Sequence, residues 1–309
     1  MKGSAAMKRK TCIRKSILQD KSLYLMILPG FLLVLIFSYL PLLGLRLAFF
    51  RFDYASGLWG GKFVGLRYFR SFFHDPYCGR LIRNTFLLSL YTLLFSFPIP
   101  IIYAMMANEI SNRYFKKFCQ SVSLMPYFIS TVVIVGIMMK LFSGSGVINM
   151  LFRKVGLEEQ IFFSDKRWFR PLYVISEIWT NTGYNSVIYI AVLASVNQQL
   201  YEAAMIDGAN RWQKAIHITL PALMPTVRVL LIMALGNLMR VGFNKVFLMS
   251  TPVVYETADI IETYVYRRGL INNDYSYSTA VGLFNSMISF VVVVLANFVS
   301  KKVSQEGLF

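Results

Sequence analysis

Six long stretches of this sequence are almost free of charged residues, and they limit the fold more than any other feature does. They run approximately over residues 23–45, 84–107, 121–141, 171–196, 222–243 and 278–300. A helix needs about 20 apolar residues to cross the roughly 30 Å hydrocarbon core of a bilayer, and each stretch is long enough. A soluble protein could not arrange so many near-chargeless helices around a single core. The sequence therefore predicts an all-α integral membrane protein with six transmembrane helices.

The overall composition agrees with a membrane protein. Of the 309 residues, 56% are hydrophobic and only 15% are charged, whereas soluble domains carry about 25% charged residues. The net charge of +17 would also suit a protein that binds nucleic acid. The basic residues, however, flank the apolar stretches and do not line one polar face, so we expect no nucleic-acid partner.

The cysteines and histidines give no sign of a metal site or of a catalytic centre. Cys12, Cys78 and Cys119 lie in separate connecting segments, without the short spacing of metal ligands. His74 and His217 are far apart and neither has a partner cluster, so we expect each to be solvated or locally hydrogen-bonded. A membrane enzyme would need several such groups at one membrane depth.

The ends of the chain indicate its direction in the membrane. Seven basic residues and one acid, Asp20, precede the first stretch, which places the amino terminus in the cytoplasm. Six crossings return the carboxyl terminus to the same side. The predicted regions are a basic cytoplasmic segment 1–22, a membrane domain 23–300 and a cytoplasmic tail 301–309. Lys and Arg are divided evenly between the inner and outer connections as a whole, so the orientation depends on the first helix and on the connection between the fourth and fifth stretches.

The connection between the fourth and fifth stretches, residues 201–221, faces the cytoplasm in this topology. It is predicted to form a short helix, a break at Gly208 and a second helix that stops at Pro221. Small side chains in it let a partner approach the backbone, two acids can make charged contacts, and an indole is an anchor of the kind enriched at binding hot spots. These residues are Ala203, Ala204, Glu202, Asp207 and Trp212. Taken alone, they fit an ordinary amphipathic connecting helix equally well.

The order of residues in this loop resembles the EAA motif of the permease subunits of ABC importers. In that motif Glu-Ala-Ala is followed by Asp-Gly-Ala and later by Ile-x-Leu-Pro. The matching residues are Glu202-Ala203-Ala204, Asp207-Gly208-Ala209, Ile218 and Leu220-Pro221. The aromatic residue that often precedes the last part is absent, since Ala215 and Ile216 stand there. Segments 259–270 and 278–284 resemble the LplB-type carbohydrate permeases, and the likeness extends over nearly the whole chain.

The resemblance implies a type I ABC-importer permease fold with a cytoplasmic coupling helix. It also implies a multi-pass subunit of the bacterial cytoplasmic membrane, surrounded by lipid, that forms half of a pathway for oligosaccharides released from polysaccharides. The implied partners are a second permease subunit, a cytoplasmic ATPase dimer and an extracytoplasmic binding protein. The motif residues together with Trp212 would contact the ATPase dimer.

The chain itself is not expected to hydrolyse ATP. No G-x-x-x-x-G-K-[ST] segment occurs in it. The nearest candidate, Gly61-Lys62, has Ser56 in place of the first glycine and Phe63 in place of the hydroxyl residue that binds Mg²⁺. ATP and Mg²⁺ are therefore expected on the partner ATPase, and this chain is predicted to be neither an enzyme nor a cofactor-binding protein.

Polar residues inside the apolar stretches are candidates for the substrate pathway, because they are costly in a bilayer. They are Asn181, Tyr184 and Asn185 in the fourth stretch, Asn237, Arg240 and Asn244 in or just after the fifth, and Asn285 in the sixth. The first three share one helical face, and so do the next three. Amide groups and the Tyr184 ring suit a sugar, and the resemblance implies substrate contacts in the fourth and fifth spans. For any single residue, hydrogen bonding between helices is an equally good explanation.

Two charges in these stretches are expected to lie close together. Glu177 and Arg240 are both placed in the outer half of the membrane, where they would form an ion pair, since an unpaired buried charge is costly. Arg240 could instead meet an anionic sugar. The outer connections carry more basic than acidic residues, which would favour acidic oligosaccharides through electrostatic steering.

Two other transport functions stay open at the level of sequence. An ABC permease for a peptide or an amino acid would have the same architecture and the same loop. A secondary transporter should show internal symmetry and intramembrane acids for ion coupling. The sequence shows no clear repeat, and Glu177 is the only acid within an apolar stretch, which disfavours the secondary transporter.

Overall fold

The computed structural model describes residues 21–236, 238–239 and 241–304. Most of the predicted basic segment, Asn237, Arg240 and the last five residues of the predicted tail therefore lie outside the described residues. Within them the chain is helical, and β-pairing is limited to isolated bridges from Phe50 to Phe63 and from Asp53 to Gly57. The predicted all-α architecture is confirmed.

Helices make up most of the described chain. In chain order they are α1 (Lys21–Ala48), α2 (Arg67–Phe73), α3 (Cys78–Asn108), α4 (Arg113–Phe128), α5 (Thr131–Leu141), α6 (Val147–Lys154), α7 (Lys166–Ala194), α8 (Gln198–Ile206), α9 (Arg211–Gly236), α10 (Phe243–Met249), α11 (Tyr255–Ala258), α12 (Ile261–Tyr266) and α13 (Tyr275–Ser304). Wide π turns interrupt or extend several of them, at Leu35–Tyr39, Thr92–Ser96, Ala215–Thr219 and Arg267–Ile271. Segments of 3₁₀ helix occur at Leu40–Ala48, Met125–Phe128 and Pro252–Val254.

Several of the described helices are long and apolar enough to cross a membrane. They are α1, α3, α9 and the part of α13 that ends at Leu295, and the bent pair α4 and α5 would make a further span. Helix α7 has 29 residues, which makes it about 43 Å long at 1.5 Å per residue. Its first turns carry Lys166, Arg167 and Arg170, which make that end less apolar. With α7 included, the described helices are compatible with the six predicted crossings.

The third predicted span is not one straight helix. The axes of α4 and α5 differ by 101° across a break at Ile129 and Ser130. Pro126 opens a 3₁₀ turn at the end of α4, where a regular helix would need the N–H that proline lacks. The Ser130 side chain then accepts a hydrogen bond from the N–H of Val133 at 3.4 Å and caps a new helix. The apolar run is therefore divided by local proline and capping signals.

The fifth predicted span also departs from a continuous helix. The sequence predicts a span that reaches Phe243, but α9 ends at Gly236 and α10 begins at Phe243. Gly242, just ahead of α10, has an extended backbone with φ −61° and ψ 94°. A break at membrane depth is tolerated where other protein groups meet the freed backbone groups. One of these freed groups, the N–H of Gly242, donates a hydrogen bond to the Tyr173 hydroxyl at 3.3 Å.

Helix α7 lies at the centre of the bundle. At one end its Phe169 is buried against α5 and α10, and at the other end Tyr189 and Leu193 are buried against α3 and α9. Between these ends α4 crosses α7 at Gly183, where a side chain would collide with the backbone of Ser123. This close approach requires glycine and fixes the position of the bent end of α4.

The connections gather at two ends of the bundle, which we call the broad end and the narrow end. The broad end consists of residues 49–77, 142–165 and 250–274, and the narrow end consists of residues 109–112 and 195–210. Polar contacts join the broad end to the first residues of α7 and α13. The Ser276 hydroxyl accepts from the N–H of Phe52 and donates to the carbonyl of Phe50, both at 2.8 Å. The ammonium nitrogen of Lys166 forms an ion pair with a carboxylate oxygen of Glu256, also at 2.8 Å.

Helix α1 is the least buried of the long helices. Within the described chain, no residue of its most apolar membrane-length window is buried, and Met26 is 80% exposed. Only its last segment packs on the bundle, along α13, where Leu47 and Ala48 are buried. The helix therefore offers a long apolar surface to lipid or to another subunit.

Candidate functional site

The loop between α8 and α9 has the break that the sequence predicts. Gly208 adopts a left-handed backbone conformation with φ 80°, which residues with a Cβ rarely adopt. The N–H of Ala209 donates to the carbonyl of Ala204 at 2.8 Å and closes the end of α8. Helix α9 starts almost at once, because Asn210 and Gln213 form a capping box with hydrogen bonds of 2.8 and 2.9 Å.

Pro221 does not end the second helix, so that part of the prediction is wrong. Helix α9 continues through Pro221 to Gly236. A π turn lies just ahead of the proline and is closed by the N–H of Leu220, which donates to the carbonyl of Ala215. The π turn departs from the regular i→i−4 hydrogen-bond pattern, so the helix tolerates the absence of an N–H at Pro221.

The tip of this loop presents an exposed surface of mixed character, which we call the α8 patch. It consists of Glu202, Met205, Ile206, Asp207 and Trp212. Ile206 is 87% exposed and Trp212 is 74% exposed, which is unusual for such large apolar side chains. Met205 and Ile206 are additions to the predicted contact residues, and their signal in the sequence is an apolar pair within a solvated connector. Of the other predicted residues, Ala203, Gly208 and Pro221 are exposed, and Ala204, Ala209 and Leu220 are half-buried.

A polar cavity of about 300 Å³ lies between α3, α7 and the break after α9. Two of the predicted pathway residues, Asn181 and Asn185, line it together with Glu177. The Asn181 amide donates to a carboxylate oxygen of Glu177 at 2.7 Å. Hydroxyl side chains from α3 complete the polar lining, namely Ser89, Thr92 and Ser96. Amides and hydroxyls that line one cavity offer both donors and acceptors, which the hydroxyl groups of a sugar require.

Tyr184 borders a second cavity, of about 500 Å³, which shares Asn185 with the first. The Tyr184 ring is 48% exposed and stacks on the ring of Tyr127, with centroids 3.8 Å apart and an angle of 2° between the planes. Tyr127 is not among the predicted residues, because the turn at Pro126 brings it to α7 and the apolar pattern does not reveal that turn. Together the two rings form a flat aromatic surface.

The other predicted pathway residues do not join this pair of cavities. Asn285 is buried, donates to the carbonyl of Met239 at 3.5 Å and lines a separate cavity of about 700 Å³ beside α10, α12 and α13. Asn244 is exposed on α10. Asn237 and Arg240 lie outside the described residues.

Glu177 forms a buried ion pair with Lys245. The ammonium nitrogen lies 2.6 Å from a carboxylate oxygen, and the side chains of Lys245 and Glu177 are 7% and 18% exposed. The predicted partner, Arg240, is outside the described residues. The sequence places Lys245 just beyond the apolar stretch, where a lysine is expected to be solvated. In the structure α10 packs on α5 and α7 and carries Lys245 inward.

A polar pocket of about 390 Å³ opens at the broad end, between the start of α3 and the chain that follows α11. Arginines, tyrosines and acids line it, and we call it the arginine–tyrosine pocket. These residues are Arg80, Arg267, Arg268, Tyr77, Tyr255, Tyr264, Asp75 and Asp259. None of them belongs to the predicted site, and the available signal is a Tyr followed by an Arg three or four residues later, at Tyr77 and again at Tyr264.

The two acids of this pocket already have partners. Tyr264 donates to Asp75 at 2.5 Å and Tyr277 donates to the same carboxylate oxygen at 3.1 Å. Burial acts to raise the pKa of Asp75, but the hydrogen bond from Tyr264 and those from its other donors outweigh burial, and the pKa lies below its ordinary value. The second acid, Asp259, accepts a hydrogen bond from Arg267 at 2.5 Å.

The histidines have the local role that the sequence predicts. The Nδ1 atom of His74 lies 2.8 Å from the carbonyl of Arg70, and that of His217 lies 3.0 Å from the carbonyl of Gln213. Over residues 21–236, 238–239 and 241–304, no group of three His, Cys, Asp or Glu side chains is placed to hold a metal ion.

Comparison with known proteins gives the family and its relatives. Residues 81–305 match the family described as binding-protein-dependent transport system inner membrane component. The chain is 43% identical to Protein LplB of Bacillus subtilis (strain 168), over 94% of this chain and 92% of that protein. It is 40% identical to the polygalacturonan/rhamnogalacturonan transport system permease protein YteP of the same organism, over 98% and 94% of the two chains.

Solved structures share the fold along nearly the whole chain. A chain of a bacterial ABC transporter involved in the import of the acidic polysaccharide alginate is 39% identical, with a TM-score of 0.86 over 94% of this chain and 99% of that one. The same values of identity and TM-score are found for a bacterial alginate ABC transporter in complex with an alginate pentasaccharide-bound periplasmic protein, over 95% and 99% of the two chains.

Proposed function

This chain belongs to the family of binding-protein-dependent transport system inner membrane components, and we propose that it forms half of the translocation pathway of an ATP-driven oligosaccharide importer. It is a membrane permease of the ABC transporter class. The observation that carries the proposal is the structural match, along nearly the whole chain, to an importer of an acidic polysaccharide.

The narrow end is assigned to the cytoplasm and the broad end to the outside. The basic residues ahead of α1 support this orientation, and so do Arg113, Lys116 and Lys117 at the start of α4, beside the narrow end. The broad end has the longer connections, which offer a larger surface to a binding protein that delivers the sugar.

The α8 patch is the proposed contact with the ATPase dimer, which would hold ATP and Mg²⁺. Exposed apolar side chains next to acids suit a protein partner, and an exposed indole is a frequent anchor at such interfaces. The hydroxyl groups of Tyr201 and Thr219 are 3.1 Å apart, so the two arms of the loop are tied together. Because α9 is helical from the loop to Gly236, including its π turn, movement of the patch would be carried to the polar cavity, which is a coupling between two sites.

A second permease subunit would complete the pathway. The apolar surface of α1 is exposed along most of its length within the described chain, so it is available to another subunit as well as to lipid. We assign this surface to contact with the companion permease, with lipid on the opposite side of the helix.

The sugar would bind along the two cavities beside α7. Asn181 and Asn185 can exchange hydrogen bonds with sugar hydroxyl groups, and the ring of Tyr184 can pack on the apolar face of a pyranose. The excess of basic over acidic residues in the outer connections favours acidic oligosaccharides. The named substrates of two similar proteins, polygalacturonan with rhamnogalacturonan and alginate, support the same class of cargo.

Reconstitution of the importer tests this function. The chain is purified from its native membrane with its companion subunits, which are identified by mass spectrometry, and is placed in liposomes with ATP and Mg²⁺ on the cytoplasmic side and the binding protein outside. Uptake of an oligosaccharide that requires ATP hydrolysis is the expected result. Uptake of peptides or amino acids in place of sugars, or sugar uptake that does not need ATP, would contradict it.

A further inference from the structure

We propose that the arginine–tyrosine pocket binds the carboxylate of a uronate residue of the incoming oligosaccharide. The inference rests on the proposed function, and it adds a binding site for the acidic group of the substrate, with two residues, Arg80 and Arg268, that select it. The pocket lies at the broad end and outside the apolar spans, so it is separate from the cavities beside α7.

The guanidinium group of Arg80 lacks an acidic partner. It lies over the ring of Tyr77, 4.6 Å from the centroid, and no carboxylate comes within ion-pair distance of it among the described residues. The Nε atom of Arg80 is buried, and it has no hydrogen-bond partner among the residues that the structure describes. A half-buried cation without a counter-charge is costly. A bound carboxylate would supply that charge, and its shape matches a guanidinium group.

Arg268 likewise forms no ion pair among the described residues. Its Nε–H donates to the hydroxyl oxygen of Tyr264 at 3.3 Å, and the guanidinium group lies 5.2 Å from the centroid of the Tyr277 ring. Both tyrosines give their own hydroxyl protons to Asp75. Arg268 therefore acts on the Asp75 carboxylate electrostatically, but it forms no ion pair with it.

The neighbouring acids do not cancel these two charges. Asp259 is paired with Arg267 at 2.5 Å. Glu256 at the rim is paired with Lys166 at 2.8 Å, and it also acts on Arg80 electrostatically without forming an ion pair with it. Asp274 follows the π turn and lies close enough to act on Arg268 electrostatically, without forming an ion pair. Three arginines against two lining acids leave the pocket positive, which favours an anion.

The shape of the site suits a sugar better than a protein side chain. The pocket is concave, and a volume of about 390 Å³ is in the range of small-molecule sites. Tyrosine rings at positions 77, 255 and 264 line it between the arginines, and such rings pack against the apolar faces of pyranoses. Helix α12 borders both this pocket, through Tyr264, and the cavity that contains Asn285.

The test compares an acidic oligosaccharide with the same oligosaccharide after its charge is removed. The complete importer is reconstituted with its binding protein, and uptake is measured at limiting concentrations of tetragalacturonate and of its fully methyl-esterified form. Arg80→Gln and Arg268→Gln are each expected to lower uptake of the acid about tenfold, as for the loss of one hydrogen bond to a charged group. Uptake of the ester should stay at the parent level, which also shows that the variants fold and hydrolyse ATP.

Arg153→Gln is the matched control, because it removes a positive charge at the broad end but outside the pocket. Arg153 lies on α6, where its exposed side chain pairs with Glu159 at 3.3 Å. Uptake of both sugars by this variant should equal that of the parent. The inference is overturned if this control lowers acid uptake as much as the pocket variants do, or if the pocket variants lower the acid and the ester equally. It is also overturned if they weaken association with the binding protein instead. A parent importer that shows no ATP-dependent uptake of any oligosaccharide would refute the proposed function itself, and a parent that takes up other oligosaccharides but not tetragalacturonate would overturn only this inference.

Discussion

The ammonium group of Lys245 lies 2.6 Å from the carboxylate of Glu177, and this contact joins α7 to the helix that follows the break in the fifth span. The Tyr173 hydroxyl reinforces the junction, since it accepts a hydrogen bond from the N–H of Gly242 at 3.3 Å. The same carboxylate receives the amide of Asn181 at 2.7 Å. The ion pair therefore fixes both the break and one wall of the polar cavity.

Removal of one member of this pair should destabilise the permease strongly. Lys245→Met would leave the Glu177 carboxylate buried without a counter-charge, with only the hydrogen bond from Asn181, and we expect a loss of about 3 kcal/mol in the free energy of unfolding. The double variant Glu177→Gln with Lys245→Met should recover most of that loss, because no charge is then left unpaired. Unfolding of the purified permease in detergent measures both values. A double variant as unstable as Lys245→Met alone would show that the ion pair is not the cause.

The sequence predicted the helices better than it predicted which residues meet. Apolar length identified the regions of α1, α3 and α13 because burial in lipid requires it wherever the helix lies in the bundle. The sequence did not predict Lys245 as the partner of Glu177. Lys245 follows a break that local glycines create, and it reaches the acid only through the packing of α10, which no periodic pattern in the sequence encodes.

Gly208 should be required for coupling of ATP hydrolysis to uptake. Gly208→Val forces a β-branched residue to φ 80°, at a cost of about 1–2 kcal/mol, and should move the α8 patch out of position. We expect insertion into the membrane to be unchanged and sugar uptake per ATP hydrolysed to fall about tenfold, within the usual range of coupling energies. Uptake and phosphate release measured in the same liposomes give this ratio.

Gly156→Val provides the matched control for that variant. Gly156 has φ 79°, almost the same backbone conformation, but it lies after α6 at the broad end. The same strain there should leave the ratio of uptake to hydrolysis at its parent value. Equal uncoupling in both variants would mean that backbone strain in general is responsible, and not the position of the α8 patch.

Trp212 should carry a large share of the affinity for the ATPase dimer. Its side chain is 74% exposed within the chain, and truncation of a buried interface tryptophan commonly costs about 2 kcal/mol, or roughly thirtyfold in affinity. Binding of the ATPase dimer to the detergent-solubilised permease pair measures the effect of Trp212→Ala. Trp59→Ala is the control, since Trp59 is 68% exposed at the broad end. An unchanged affinity for Trp212→Ala would remove the indole from the interface.

The candidate sites differ in how far the sequence revealed them. The loop between α8 and α9 is local, so its glycine break at Gly208 could be predicted from one segment of sequence, although the cap formed by Asn210 and Gln213 was not predicted. The arginine–tyrosine pocket joins Arg80 to Arg268, which lie far apart in the sequence, and a sequence pattern cannot show that two such distant segments meet. The pairing of Tyr127 with Tyr184 has the same origin, because it depends on the turn between α4 and α5.

Tyr184 should contribute to sugar binding through its ring and not through its hydroxyl group. Tyr184→Ala removes the stacked surface that it forms with Tyr127, and we expect the KM for oligosaccharide uptake to rise about fivefold, which corresponds to an aromatic contact of roughly 1 kcal/mol. Tyr184→Phe keeps the ring and should leave the KM unchanged. Initial uptake rates over a range of oligosaccharide concentrations, with basal ATP hydrolysis as the test of folding, distinguish the two variants. If Tyr184→Phe raises the KM as much as Tyr184→Ala does, the hydroxyl group is the binding element and the stacked rings are not the sugar platform.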